Sequence, residues 1–361
     1  MPRRPRDGRN SGPLISDVAR LAGVATSTVS RALTVPGRVN EETRRRVAAA
    51  AEQLGYIPND AARSLRAGKS SNIMATLPGP STIFGVAQII PAVVQSLSAT
   101  LAEHGFDLLF CNRNSPAAER HILGQAFGGS VRGVVVFGAA ALPSYGRRSL
   151  ADADVPVVSL LIDRSTAGIP SVITNDRGAM RDAMLHLVAL GHRSFLYVAG
   201  PAGSYHEAER FSGLLDALAA AGLPERAVIR HGGRLGFNDG LRAGVEAAQS
   251  YLAMKRRPTA IVCCADDGAI SFIGTVRSHG VAVPGDVSVL GFDGAAVGAF
   301  CDPPLTTLAQ PTQDLGSRAA EVLLQLLEDA AAAPPLKTTL PSRLLLRAST
   351  GAPRSAPGKP A

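Results

Sequence analysis

The sequence predicts a small all-α helix-turn-helix head followed by a two-lobed α/β body built on parallel sheets, and three observations carry that prediction. Residues 1 to 70 hold 13 Lys+Arg against 6 Asp+Glu, while the other 291 hold 24 against 23, so nearly all of the net charge of +8 sits in the first fifth of the chain. Within that fifth, short helical patterns are separated by turn residues. From Asn72 to about Arg347, short apolar runs alternate with longer amphipathic ones, the rhythm of a parallel sheet covered by helices on both faces. A body of about 275 residues exceeds what one core usually serves, which favours two lobes with a cleft between them. A basic module on a neutral body points to a polyanion-binding head, although a charge run is more often a solvated face.

Taken in order, residues 1–13 lack apolar content and read as a basic arm without structure. Ser16 is placed to cap a first helix whose Val18 and Leu21 face inward, and Gly23 supplies the turn. A second helix follows from about Thr26. Its Val29 and Leu33 are four apart and face a small core, while Ser27 and Arg31, also four apart, project from the other side. Two short helices joined by a glycine turn have the shape of a helix-turn-helix, and Arg31 is suited to a bidentate bond with guanine O6 and N7 in a major groove. A third helix opens at Asn40 with Glu41 and Glu42 in its first turn, buries Val47, Ala51 and Leu54, and ends at Gly55.

In the body, strands are predicted at Ile73 to Leu77, Asp107 to Cys111, Gly133 to Phe137, Val155 to Ile162, Phe195 to Ala199, Thr259 to Cys263 and Val287 to Phe292. Several are continuous Val/Ile/Leu runs, as strands buried on both faces require. Between the first two lies a helical pattern of Val86, Ile90, Val93, Val94, Leu97 and Leu101, with Pro91 inside it as a potential kink. Residues 348–361, rich in Pro, Gly and Ala, read as a disordered tail.

Several function classes are disfavoured. No run reaches the roughly 18 to 20 apolar residues of a membrane-spanning helix, and the polar N-terminus lacks the apolar stretch and cleavage site of a secretory signal, so a cytoplasmic location is expected. Cys111, Cys263, Cys264 and Cys301 have no metal or disulfide spacing, consistent with buried thiols in a reducing compartment. Ala67-Gly68-Lys69-Ser70 imitates the end of a phosphate-binding loop, but the required earlier glycine is Arg63. No dinucleotide fingerprint, nucleophile elbow or zinc motif is found; His206-Glu207 is followed by Ala208 and Glu209 rather than by a second histidine at the right spacing. The expectation is therefore a binding protein without enzymatic activity, cofactor or metal.

The run from Ile15 through Ser71 resembles the DNA-binding head of the LacI/GalR, or lactose-repressor, family of bacterial transcription factors, through Asp17-Val-Ala, Gly23-Val, Thr28-Val-Ser-Arg31, Thr43-Arg, Gly55-Tyr-Ile-Pro-Asn59 and Ala62-Arg-Ser-Leu65. Gly191-His-Arg193, Ala199-Gly-Pro201, Arg210-Phe-Ser-Gly213, Ala265-Asp-Asp267, Val287-Ser-Val-Leu-Gly-Phe-Asp293 and Pro304-Leu-Thr-Thr307 with Gln310 resemble the family's effector domain. The resemblance implies a head over 14–57, a hinge helix and linker over 58–71, and a two-lobed periplasmic-binding-protein-like domain for effector binding and dimerisation over 72–347.

Carried over by position, the resemblance implies base reading by Thr26, Ser27 and Arg31, and backbone or groove-edge contacts by Thr28, Ser30, Thr34 and Arg38. Ser16, Tyr56 and Asn59 join that DNA-binding set. Ala25 stands where relatives often have a capping Ser, so that cap is missing or passes to Thr26. Leu65 matches a leucine that wedges into the minor groove, with Ala62 one turn earlier. Asp60 at the start of the hinge places negative charge near phosphate. The implied effector contacts are Ser81, Phe84, Asp163 at the first crossover between lobes, Arg210, Asp266, Asp293 and Gln310, a set suited to a polyhydroxylated ligand. Asp266 departs from the Asn usual in relatives. A structural role is open for each body residue: Asp293 could cap a helix and Asp163 could tie the lobes together. The expectation is a homodimeric repressor that binds a palindromic operator and is controlled by a sugar-like effector. The rivals are a solute-binding protein of a transport system and an α/β enzyme with an appended head.

Overall fold

The computed structural model of the chain describes residues 13–34, 39–56, 70–78, 89–138, 141–233, 239–329 and 331–354. The chain divides into two compact units, Met1–Ser70 and Ser71–Ala361.

The first unit contains α1 (Ile15–Ala22), α2 (Thr26–Thr34) and α3 (Glu41–Leu54). Its core is made of small side chains, Val18, Ala19, Ala22, Val29, Ala32, Val47, Ala50 and Ala51, with Leu33, Leu54 and Tyr56 packed against it. Alanines let three short helices approach closely around few methyl groups. Gly23 and Gly55 end α1 and α3 with φ of 63° and 62°, a conformation that costs glycine little. Asn40 caps α3 by accepting from the Thr43 amide at 2.8 Å. Two expectations fail here. Helix α1 begins at Ile15, before Ser16, and its free end is met by Asp17, whose carboxylate accepts from the Leu14 amide at 2.9 Å. Leu21 is 48% exposed, and Ala19 and Ala22 fill the inward face instead.

The second unit holds two sheets. The first is made of β1 Asn72–Pro78, β2 Asp107–Arg113, β3 Gly133–Phe137, β6 Val157–Leu160, β7 Ser171–Thr174 and β13 Lys337–Leu340, all parallel, in the order β13-β7-β6-β3-β1-β2. A two-stranded hairpin, β4 (Ser144–Tyr145) with β5 (Arg148–Ser149), stands apart. The second sheet is made of β8 Phe195–Ala199, β9 Val228–Gly232, β10 Ala260–Cys263, β11 Ser288–Asp293, β12 Thr306–Ala309 and β14 Arg343–Leu345, in the order β14-β12-β11-β10-β8-β9, where only the β12–β14 pair is antiparallel. β3, β8, β10 and β11 are buried along their whole length, which is why their sequences do not alternate. The predicted strand over 155–162 is trimmed to four residues, because Pro156 precedes it and Leu161 takes φ 74°.

Helices α4 (Ile89–Glu103), α5 (Pro116–Phe127) and α10 (Thr312–Glu328) serve the first sheet, and α6 (Asp176–Ala189), α7 (Tyr205–Ala220), α8 (Gly240–Ala253) and α9 (Asp266–Ser278) the second. Pro91 does not kink α4: it is the third residue of the helix, where the N–H is unpaired in any case. Val86 of that pattern lies outside the described residues. The chain passes between lobes three times: from β7 into α6, from β12 into α10, and from β13 into β14.

The predicted disordered tail is corrected over its first residues. Ser349 is fully buried, its hydroxyl donating to the Val289 carbonyl at 2.6 Å and accepting from the Thr306 amide at 2.8 Å. The carbonyl of Gly351 faces His192 Nε2 at 2.9 Å, and Arg354 pairs with Asp286. Long-range polar partners, which composition does not reveal, bind this stretch to the second lobe.

Candidate functional site

The head presents one polar face. Thr26, Ser27 and Arg31 are exposed on α2, Thr28 and Ser30 are half-buried beside them, and Val29 points into the core. The Arg31 guanidinium folds along its own helix, Nε donating to the Ser27 carbonyl at 3.3 Å. Ala25 occupies the N-cap position, its carbonyl receiving the Thr28 amide at 2.9 Å, with no capping side chain. Arg46 of α3 donates to the Ala22 carbonyl at 2.5 Å and fixes the turn ahead of α2. Ser16 is exposed at the start of α1, whereas Tyr56 packs on the head core. The side chain of Thr34, and Arg38, Asn59, Ala62 and Leu65 with the rest of the proposed hinge helix, lie outside the described residues, as do Ser81 and Phe84.

In the body, Arg210 is the centre of a buried charged cluster. It sits on α7 with its side chain 5% exposed. Its Nε donates to Asp176 Oδ2 at 3.2 Å, one terminal nitrogen donates to the Cys264 carbonyl at 2.5 Å, and the other lies 3.3 Å from Asp293 Oδ1. Asp176 also receives His206 Nδ1 at 2.8 Å and the Thr174 hydroxyl at 2.5 Å. Gln310 completes the chain, its Nε2 donating to Asp293 Oδ1 at 2.7 Å. Burial alone would raise the Asp176 carboxyl, but the Arg210 charge and the His206 contact hold it well below the usual range. Burial lowers the Arg210 guanidinium, and the charges of Asp176 and Asp293 more than reverse this. The Asp293 carboxyl is pushed up by burial against the pull of Arg210. Asp293 also has φ 121°, a backbone strain that side chains other than glycine carry mainly at functional sites. Gln310 Oε1 is buried with no hydrogen-bond partner among the described residues, an acceptor facing no donor.

Two expectations need correction, and one structural alternative drops out. Asp163 is not at the first crossover: it follows β6 within the first lobe, and the chain crosses at Asn175, between β7 and α6. There it ties elements of one lobe, pairing with Lys337 Nζ at 2.7 Å and accepting from the Ser165 amide and hydroxyl at 2.9 and 2.6 Å. Burial raises its carboxyl, but these bonds outweigh burial and hold it at about 2. Asp266 is fully buried, and both oxygens are used inside the protein, Oδ1 accepting from the Thr307 hydroxyl and Oδ2 from the Ala295 amide, each at 2.6 Å. It has no free face for a ligand. Asp293 caps no helix; it ends β11.

Sequence reading missed Asp176, His206 and Tyr205. Asp176 opens α6 at the first crossing, and its partners lie about thirty residues away, so no local spacing marks it. Tyr205, in the first turn of α7, has its hydroxyl pushed up to about 12 by burial and by the charges of Glu209, Asp163 and Asp176. The Tyr205 hydroxyl is thus within electrostatic reach of Asp163 of the first lobe. These strand ends and helix starts lie at the carboxyl edge of a parallel sheet, where ligands usually bind in such folds. Among the described residues, no group of three or more His, Cys, Asp or Glu side chains is arranged to hold a metal ion.

Comparison with known proteins gives matches over both units. Residues 14–59 match the family of bacterial regulatory proteins, lacI family, and residues 184–350 match the periplasmic binding protein-like domain. Catabolite control protein A of Priestia megaterium is 30% identical over 337 residues, covering 93% of this chain and 98% of that protein. The HTH-type transcriptional repressor PurR of Photobacterium profundum is 30% identical over 320 residues, covering 87% and 92%. Among solved structures, the lac repressor dimer bound to operator and the anti-inducer ONPF aligns with a TM-score of 0.79 at 25% identity, over 95% of this chain and 100% of that one. The transcriptional regulator CelR–cellobiose complex aligns with a TM-score of 0.64 at 26% identity, over 93% and 99%.

Proposed function

The chain belongs to the lacI family of bacterial regulatory proteins and is a DNA-binding transcriptional regulator, and from that premise we propose which of its residues do the work. Thr26, Ser27 and Arg31 read base edges, while Ser16, Thr28, Ser30, Thr34, Arg38, Tyr56 and Asn59 set the head on the duplex, and Leu65 with Ala62 enters the minor groove. The protein acts in the cytoplasm as a homodimer on a palindromic operator, because a single small head offers little contact area and two-fold DNA asks for a two-fold protein. No helix among the described residues is long and apolar enough to cross a membrane.

The effector is a polyhydroxylated molecule of the sugar class, held between the lobes by Arg210, Asp293 and Gln310, with Ser81 and Phe84 from the first lobe. A structural relative named as a cellobiose complex supports that chemistry. The observation that carries the proposal is the chain Asp176–Arg210–Asp293–Gln310, which joins the first and second lobe crossings. A ligand that bonds to Asp293 or to the open Gln310 oxygen acts on side chains that already link the first two crossings between the lobes. An effector that prefers one lobe arrangement can then bias DNA binding, and a coupling of about 1 to 3 kcal/mol changes operator affinity roughly 5- to 150-fold.

The test is a thermal-shift screen of the full-length protein against sugars, polyols, sugar acids and nucleobases, followed by selection of bound genomic fragments with and without each hit. A stabilising sugar that changes DNA retention is the expected result. Enrichment of no DNA sequence, or a sugar that binds without altering retention, overturns the coupled reading.

A further inference from the structure

Asp266 lies under the turn that carries Asp293. It is the first residue of α9, separated from the end of β10 by two residues, and is fully buried. Its Oδ2 accepts from the Ala295 amide and its Oδ1 from the Thr307 hydroxyl; Thr307 Oγ1 in turn accepts from the Gly294 amide at 3.3 Å. The carboxylate also fills the space above Gly291, where an added Cβ would lie 2.1 Å from Oδ1. Asp266 therefore fastens both residues that follow Asp293, and Asp293 holds a strained φ of 121° that needs such support.

No ion pair among the described residues engages Asp266. The titratable groups near it are the Asp293 carboxylate from β11, the Cys263 thiol from β10 and the Cys301 thiol from the loop after β11. Asp267 follows it on α9, and Arg347 reaches Cys301. Arg210 and His206 act on Asp293. Both thiols are pushed up by burial and stay neutral. Burial and the Asp293 charge raise the Asp266 carboxyl to about 7, against the bonds from Thr307, Ala295 and Gly294. Taking up a proton keeps Asp266 bonded to both partners but reverses the bond with Thr307, so that the buried Thr307 hydroxyl proton gives up its acceptor. As a carboxylic acid, Asp266 donates from Oδ1 to Thr307 Oγ1 while Oδ2 still accepts from Ala295.

We propose that Asp266 is a positioning residue for effector recognition, holding the turn Asp293–Ala295 so that the Asp293 carboxylate faces the cleft, and that this hold is firmest when Asp266 carries a proton. The proposal rests on the assignment of Asp293 to the effector site. Opening the turn exposes Asp266 to water, where it ionises like an ordinary aspartate. Between about pH 4 and 7 opening thus releases a proton, and each pH unit favours it by up to about tenfold. Above pH 7 Asp266 is ionised in both states and the dependence ends. An asparagine at this place keeps one acceptor and has no proton to lose.

The experiment is hydrogen–deuterium exchange on the full-length protein without DNA or effector, following residues 290–297 from pH 5 to 9 and correcting for intrinsic exchange. Protection in the wild type is expected to fall by up to about tenfold per pH unit from pH 5 to 7 and then level off, while Asp266→Asn stays flat. A flat wild-type profile, or an equal slope in Asp266→Asn, overturns the proposal. Circular dichroism checks that the variant folds. If it does not, the infrared spectrum of the wild type decides: a carboxylic-acid carbonyl band present at pH 6 and lost by pH 8 supports the proposal, and no such band at pH 6 overturns it. Neither measurement uses an effector or operator, so failure here leaves the regulatory assignment to its own test.

Discussion

The Arg210 guanidinium stacks on the Phe292 ring, 3.6 Å from its centroid, while its nitrogens reach Asp176 and Asp293 on either side. The ring shields one face of the cation and the two acids share its edge. Arg210→Ala removes the only guanidinium bonded to these buried carboxylates among the described residues. Breaking a buried pair in this way typically costs about 3 to 5 kcal/mol, so the variant is expected to unfold at clearly lower denaturant concentration and to lose its response to any effector. Urea titration followed by circular dichroism measures the first, and an effector titration the second. An unaltered unfolding midpoint would contradict the cluster described here.

Arg31 stands on the exposed face of α2, bonded to its own helix and to no acid among the described residues. Arg31→Ala is expected to cost about 1 to 3 kcal/mol of specific binding and to relax base choice at one position in each half-site. Sequencing DNA selected by the two proteins checks this. Equal weakening on all sequences would make Arg31 a phosphate contact.

Asp163 supplies a pH prediction. Its folded-state carboxyl at about 2 lies below the ordinary 3.8, so its contribution to stability is present above about pH 4 and is lost as pH falls toward 2. Lys337 is half exposed and solvent screens the pair, which limits its worth to about 1 kcal/mol or less. Lys337→Met should flatten the acid limb of the stability profile and leave the unfolding midpoint at neutral pH within that margin, as urea titrations from pH 2.5 to 7 can show.

Ending the chain at Ala348 removes the Ser349 hydroxyl and strands the Thr306 amide and Val289 carbonyl in the interior. Each unpaired buried group costs about 1 to 3 kcal/mol. The shortened protein is expected to have a lower thermal midpoint by calorimetry, and an unchanged midpoint would return these residues to the class of a free tail.

Much of this architecture is written locally, and the parts that are not share a cause. Gly133–Phe137 and Phe195–Ala199 were legible to the residue because both faces are buried and the apolar run is unbroken. Lys337–Leu340, with exposed Lys and two threonines, carries no such signal; it is a strand because β7 offers it an edge. The helix-turn-helix is a local motif and could be read with its turn glycines. Arg210, Asp293 and Gln310 were named from resemblance, whereas Asp176 and His206 become visible only when the fold brings them to Arg210. Asp266 illustrates the opposite failure, since an acid in a motif position looks exposed until the turn that covers it is placed.

Neither lobe is contiguous in the chain, and this orders events on the ribosome. Five of the six strands of the first sheet are laid down by residue 174, yet its hydrophobic core still needs Leu315, Ala319, Ala320, Val322 and Leu323 of α10, and its outer edge needs β13. The second lobe obtains five of its six strands between Phe195 and Ala309. The lobe begun later can therefore close earlier, while the lobe begun first holds an open apolar face until nearly the whole chain has emerged. Nascent chains cut short before α10 are predicted to recruit chaperones through that face, a hazard general to folds whose contacts join distant segments.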